Sequence, residues 1–245
     1  MFNHLVATVQ MGMARADTLL EKTQFRQGET IRGYINLEGG QMEQIIRGVN
    51  IELVVKNRIG TKETQTIWSK IQVSDQICLT PKETRMFPFS ISLPEVMPIS
   101  FSNRFSIYLK TQLYLHQACT FRDNDVLEVL PHPYLETIFQ VLTRMGFPLI
   151  WMNTNWLDFS TTFPYYQEYK FGIPYPYHFY LSDFTITHLG EGKFILQLGR
   201  QIGGVVKGKK VRFSMQQSDL EDEGERLYLF FIKVLDQLIH KEQAI

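Results

Sequence analysis

Apolar residues in the first half of the chain recur at every second position. From Ile31 to Leu37 the odd positions are apolar or Gly, the two-residue period of a strand with one buried and one wet face. Gly28 before this run and Gly39-Gly40 after it supply turns. The period returns at Val49, Ile51, Leu53 and Val55, and again at Phe87, Phe89, Ile91 and Leu93, where Pro94 stops it. Thr61 to Val73 reads as one strand or a pair, and Asp75 to Thr84 as a polar crossing between sheet edges. The clearest strand runs from Arg104 to Leu115, with Phe105, Ile107, Leu109, Thr111, Leu113 and Leu115 on one face. Turns are expected at Asn57 to Gly60 and at Phe121 to Asp125, and a last strand through Val126, Leu127, Val129 and Leu130 ends at Pro131. About seven short strands divided by turn signals predict a two-sheet sandwich.

After Pro131-His132-Pro133 the pattern changes, which places a domain boundary between residues 1–132 and 133–245. Leu135, Ile138, Phe139 and Leu142 have helical spacing, with Glu136 near the start, Arg144 near the end and Gly146 as the stop. Leu149 to Trp156 is uneven, with a turn expected at Asn153 to Asn155. Further strands are predicted at Tyr180 to Ile186, at Lys193 to Leu198 and around Val211 and Phe213. Ser218 caps a predicted helix from Asp219 to His240, whose apolar stripe is Leu227, Phe230, Phe231, Val234, Leu235, Leu238 and Ile239. That amphipathic helix covers a sheet or docks a partner.

Lys plus Arg and Asp plus Glu are equal at 25 each, so no global field draws the chain to nucleic acid. The basic cluster Lys207, Lys209, Lys210 and Arg212 beside Gly203-Gly204 is the candidate contact for phosphate or anionic lipid. The acidic run Asp219 to Glu225 is placed to neutralise it. Tyr165, Tyr166, Tyr169, Tyr175 and Tyr177 either form an aromatic recognition surface or fill the core. Cys78 and Cys119 read as free thiols, which suits a reducing cytoplasm. His4 and Gln10 interrupt the apolar residues near the start and no apolar run reaches 18 residues, so neither a secretory signal nor a membrane-spanning helix is expected. The six histidines have no metal-ligand spacing. Asp123 and Asp125 suit a turn, with a cation as the alternative. No nucleophile elbow or dinucleotide fingerprint occurs, so no catalytic, cofactor or metal residue is assigned.

Several landmarks follow one another in a recognisable order. They are Ala16-Asp17-Thr18-Leu19, Gln27-Gly28-Glu29, Gly39-Gly40, Pro88 to Pro94, Pro98-Ile99-Ser100, Leu109 to Leu113 and Asp123 to Pro131. In this order the chain resembles the sporulation-control protein family of the arrestin-like β-sandwich class. It departs at Gln27, where the family usually has Pro, and at Gln112-Leu113-Tyr114, where an acidic residue is common. The resemblance implies a mainly β fold of two arrestin-like sandwich domains, the second more irregular, here followed by the amphipathic C-terminal helix. It further implies a non-enzymatic cytoplasmic regulatory or scaffold protein acting through protein–protein interaction, in sporulation control. A peripheral module bound to anionic lipid through the basic cluster is the alternative.

Overall fold

In a computed structural model, the run from Phe105 to Leu115 is a strand with its odd-numbered side chains all buried. The structure describes residues 13–59, 61–100, 105–115, 118–156, 165–175, 177–202 and 205–240. The chain divides into two units, residues 1–93 with 99–130, and residues 94–98 with 131–245. The segment from Pro94 to Pro98 therefore belongs with the second unit, where the sequence reading had placed it in the first domain.

Among the described residues the first unit holds nine strands in two sheets. These are β1 (Arg15–Leu20), β2 (Gln24–Arg26), β3 (Thr30–Glu38), β4 (Gln44–Ile59), β5 (Lys62–Ser74), β6 (Ile77–Leu79), β7 (Thr84–Ser92), β8 (Phe105–Leu115) and β9 (Ala118–Leu130). One sheet has the order β1-β3-β7, and the other β2-β9-β8-β4-β5 with β6 also paired to β4. Pairing is antiparallel except between β2 and β9. Ile31, Ile35 and Leu37 of the first sheet and Ile51, Leu53, Leu109 and Leu113 of the second are wholly buried. A one-residue slip would exchange these for Arg32, Asn36 or Lys110, so burial fixes the register.

Several expected turns are continuous strand instead. Asn57 to Ile59 remains in β4, which begins at Gln44. The crossing from Asp75 to Thr84 contains β6. Phe121 to Asp125, expected as a turn, lies inside β9, because Arg122, Asn124 and Glu128 alternate with Asp123, Leu127 and Val129 in strand phase.

Among the described residues the second unit is a meander of five antiparallel strands: β10 (Leu149–Trp156), β11 (Tyr165–Phe171), β12 (Asp183–Gly190), β13 (Lys193–Ile202) and β14 (Val205–Ser214). Helix α1 (Pro133–Arg144) precedes it, a 3-10 turn (Tyr177–Phe179) interrupts it, and α2 (Gln217–Glu221) and α3 (Glu225–His240) follow. Phe139 of α1 meets Tyr169 and Phe171 edge-on or tilted, with centroids 5.2 and 5.9 Å away, and Phe231 of α3 meets Phe184 and Phe213. Where a second sandwich was expected, the described residues thus form one sheet with helices as the second layer, since the apolar stripes of α1 and α3 supply what a facing sheet would.

Two further expectations change in this unit. Asn153 to Asn155 is strand, paired with Tyr166 to Glu168. The single helix from Asp219 to His240 is broken at Asp222 to Gly224, where Glu223 and Gly224 have φ of 54° and 79°. The Asp222 carboxylate accepts the backbone N–H of Gly224 at 3.0 Å and of Arg226 at 3.3 Å, so Asp222 rather than Ser218 caps the long helix. Gly146, with φ of 86°, ends α1 as its position implied.

Candidate functional site

Asp123 and Asp125 project from the buried face of β9, in phase with Leu127 and Val129. Opposite them, Thr18 of β1 and Thr111 of β8 bring their hydroxyls within 2.7 Å. Asp123 is 5% exposed; its Oδ1 accepts the Asn124 backbone N–H at 2.9 Å, and its Oδ2 has no partner. Asp125 Oδ2 likewise has none. Burial pushes the Asp125 carboxyl up to about 7, with the charges of Asp123 and then Asp17 adding to the effect and the Thr18 side chain opposing it. Asp123 is raised for the same first reason, with a smaller contribution from Asp17.

A cleft of about 490 Å³ opens beside Asp125, lined by Thr18 and Leu20 of β1, Arg26 of β2, and Asp125, Val126 and Leu130 of β9, together with the β1–β2 connection. Lys22 at its mouth is paired with Glu29 at 2.7 Å, and Glu128 accepts from Gln24 at 2.6 Å. Both strands that flank the opening have a free edge among the described residues. β1 pairs only with β3, and β9 is joined by β2 only at Glu128 to Leu130. The arrangement is a slot of mixed charge and partly apolar walls beside strand edges unpaired among the described residues. Among the described residues no three His, Cys, Asp or Glu side chains are grouped to hold a metal ion. The signal that would have found this pair is the strand phase Asp123, Asp125, Leu127, Val129, hidden by the polar composition of Arg122 to Asp125.

The residues singled out from sequence scatter. Tyr169 is wholly buried and its hydroxyl donates to Gln167 Oε1 at 2.7 Å, so it fills the core and is removed from any recognition surface. Tyr166 and Tyr177 are half-buried, and the Tyr165 side chain lies outside the described residues. Tyr175 is 75% exposed and clusters with His178 and Phe179 at centroid distances of 5.2 and 5.5 Å. Lys207, Lys209, Lys210 and Arg212 belong to strand β14 rather than to the hairpin turn, and the Lys207 side chain lies outside the described residues. Lys209 pairs with Leu198, a core position, whereas Lys210 and Arg212 pair with Gln197 and Ile195 on the opposite face. The strand therefore divides the basic cluster between two faces. Asp219 of the acidic run is directed to Arg226, 3.4 Å away. Cys78 is an exposed free thiol, and the Cys119 side chain is outside the described residues.

His188 is a second buried polar group. It is 2% exposed, stacks on Phe194 at a centroid distance of 4.6 Å, and has no hydrogen-bond partner on either ring nitrogen. Burial, helped by nearby His132, lowers it to about 4.

A family model described as SpoOM protein matches residues 2–195. The chain is 27% identical to the sporulation-control protein spo0M of Bacillus subtilis (strain 168), over 96% of this chain and 98% of that protein. It is also similar to the crystal structure of Spo0M, sporulation control protein, from Bacillus subtilis, with a TM-score of 0.77 and 26% identity over 93% of this chain and all of that one. No helix among the described residues is long and apolar enough to cross a membrane.

Proposed function

We propose, from the premise that this chain belongs to the SpoOM protein family, that it is a non-enzymatic cytoplasmic regulatory protein that acts in sporulation control by binding other proteins. The observation that carries the reading is similarity along almost the full length of both chains to a sporulation-control protein. The first unit, with two sheets of buried inner faces, fits an arrestin-like sandwich, a framework that presents edges and clefts while its core stays closed. The unpaired edges of β1 and β9 supply the attachment geometry, because an extended segment gains main-chain hydrogen bonds there. Capture of the full chain with its partners from native cells, followed by binding of the two purified proteins, tests the reading. A protein partner that binds the purified chain directly is the expected result. Failure to recover one, together with turnover of a metabolite by the purified chain, would overturn it.

A further inference from the structure

Strand β14 is an outer strand of its sheet among the described residues, with β13 as its neighbour on one side and nothing on the other. Met215 donates its N–H to Gly192 at 2.8 Å, and the register runs from the Lys193/Ser214 pair to the Ile202/Val205 pair without a shift. Odd-numbered residues of β14 therefore bond β13. The N–H and C=O groups of Gly208, Lys210, Arg212 and Ser214 point to the open edge.

The side chains along that edge alternate in chemistry. Lys210 and Arg212 are exposed on the face away from the helices, beside the neutral Gln197 and Ile195 of β13. Val211 and Phe213 are half-buried on the other face, where the Phe213 ring lies 5.3 Å from Phe194 and 5.1 Å from Phe230 of α3. Among the described residues no carboxylate pairs with Lys210 or Arg212. The acids nearest in the chain are engaged elsewhere: Glu191 faces Lys193, Asp219 faces Arg226, and Asp222 caps α3. Self-pairing along this edge is disfavoured, because a second copy would set cation against cation. A flat anionic membrane would use the cations alone, whereas an added strand uses the open main-chain groups as well.

We propose that the edge of β14 receives an extended segment of a partner protein as an added strand, with acidic side chains opposite Lys210 and Arg212 and apolar ones beside Val211 and Phe213. The proposal rests on the protein-binding function above and gives it a surface on the second unit and a partner chemistry. The segment alternates acidic and apolar residues, because side chains two apart share a face. Cross-strand pairs of opposite charge then add to the main-chain hydrogen bonds.

The test uses the full chain and an array of fluorescein-labelled nonapeptides in which glutamate alternates with varied apolar residues. Each has one twin with glutamine for glutamate and another of the same composition with its glutamates in a single block. Anisotropy should show the alternating peptides bound at least about fivefold tighter than either twin. At saturating peptide the amide protons of Lys210 and Arg212 should exchange with solvent at least about tenfold more slowly. The Lys210→Gln/Arg212→Gln double variant should lose the preference, and Lys62→Gln, at an exposed position of the first unit, should keep it. In Lys210→Glu/Arg212→Glu the preference should move to peptides with lysine in place of glutamate. All these positions are exposed, so the variants fold. Equal binding of alternating and blocked peptides, absence of binding across the array, a preference that survives the double substitution, or unslowed amide exchange would overturn the added strand. Phosphatidylserine vesicles bound through the same two residues, with no peptide bound, would overturn it in favour of a membrane contact. A native partner that binds the double variant as tightly as the unaltered chain removes this surface and leaves the proposed function standing.

Discussion

The hydroxyl of Thr18 in β1 lies 2.7 Å from that of Thr111 in β8, so a hydrogen bond joins the two sheets of the first unit through their interior. Both residues are nearly inaccessible to solvent. Replacing one hydroxyl by a methyl leaves the other without its cross-sheet partner, whereas replacing both removes the need. Thr111→Val is expected to cost about 1–2 kcal/mol in urea unfolding. In Thr18→Val/Thr111→Val the two costs should fall short of additive, since the residues touch.

Asp125 predicts how the first unit responds to pH. Its folded carboxyl titrates at about 7 against an ordinary value of 3.8, because burial and the charges of Asp123 and Asp17 hold the proton on. The native state therefore binds more protons than the unfolded state between those values, and stability falls as pH rises from about 4 to 7. Above 7 the penalty is complete. Asp125→Asn should raise the unfolding midpoint at pH 8, on the order of 1–3 kcal/mol, and leave it little changed at pH 4. Parallel denaturation curves at the two pH values check this; an equal shift at both would remove the electrostatic cause.

Glu52 in β4 is another buried carboxylate of this unit, and it has cationic neighbours. Lys70 and Lys110 reach its two oxygens at 3.2 Å each, with Lys110 the less exposed lysine. Removing one cation strands part of a buried charge. Lys110→Met is expected to cost about 3 kcal/mol, and Lys70→Met less because solvent already screens that pair. Comparable losses from both in thermal unfolding would show that the difference in exposure does not decide their worth.

Gly224 makes the break between α2 and α3. At φ of 79° it is in the left-handed region, and a Cβ there would meet Val141 Cγ2 at 2.6 Å and Thr137 Cγ2 at 3.0 Å. Strain and crowding act together in Gly224→Ala, which is expected to cost about 2–3 kcal/mol. A neutral or stabilising substitution, measured by urea midpoint, would mean that α1 shifts to accommodate the methyl.

The elements that were legible from sequence are those where one face is dry. Alternation from Phe105 to Leu115 predicted β8, and the spacing of Leu135, Ile138 and Leu142 with Gly146 behind them predicted α1. Polar composition misled where a strand interior carries polar groups inward, as at Asn57 in β4 and at Asp123 and Asp125 in β9. The sequence shows no reason to bury two aspartates, because their neighbour Thr18 is about a hundred residues away and is brought opposite by the packing of one sheet on the other. The α2–α3 break was hidden because the apolar stripe resumes in helical phase beyond it. The aromatic run mixed two roles, with Tyr169 in the core and Tyr175 at the surface, which composition does not separate.

His188 gives the second unit an acid limit. The ring is buried against Phe194 and lowered to about 4, first by burial and then by the charge of His132. An unfolded histidine titrates near 6.5, so the unfolded state binds more protons between pH 4 and 6.5, and stability is lost as pH falls through that window. The loss amounts to about 3 kcal/mol once both states are protonated. His188→Phe keeps an aromatic ring against Phe194 and removes both unpartnered nitrogens. The variant should unfold at a midpoint that hardly changes between pH 7 and 4.5, followed by the aromatic near-ultraviolet signal, which samples the Phe194, Phe213 and Phe231 cluster. The acid sensitivity of Asp125 has the opposite sign, so Asp125→Asn provides the contrasting control, and an unchanged acid loss in His188→Phe would assign that loss to other groups.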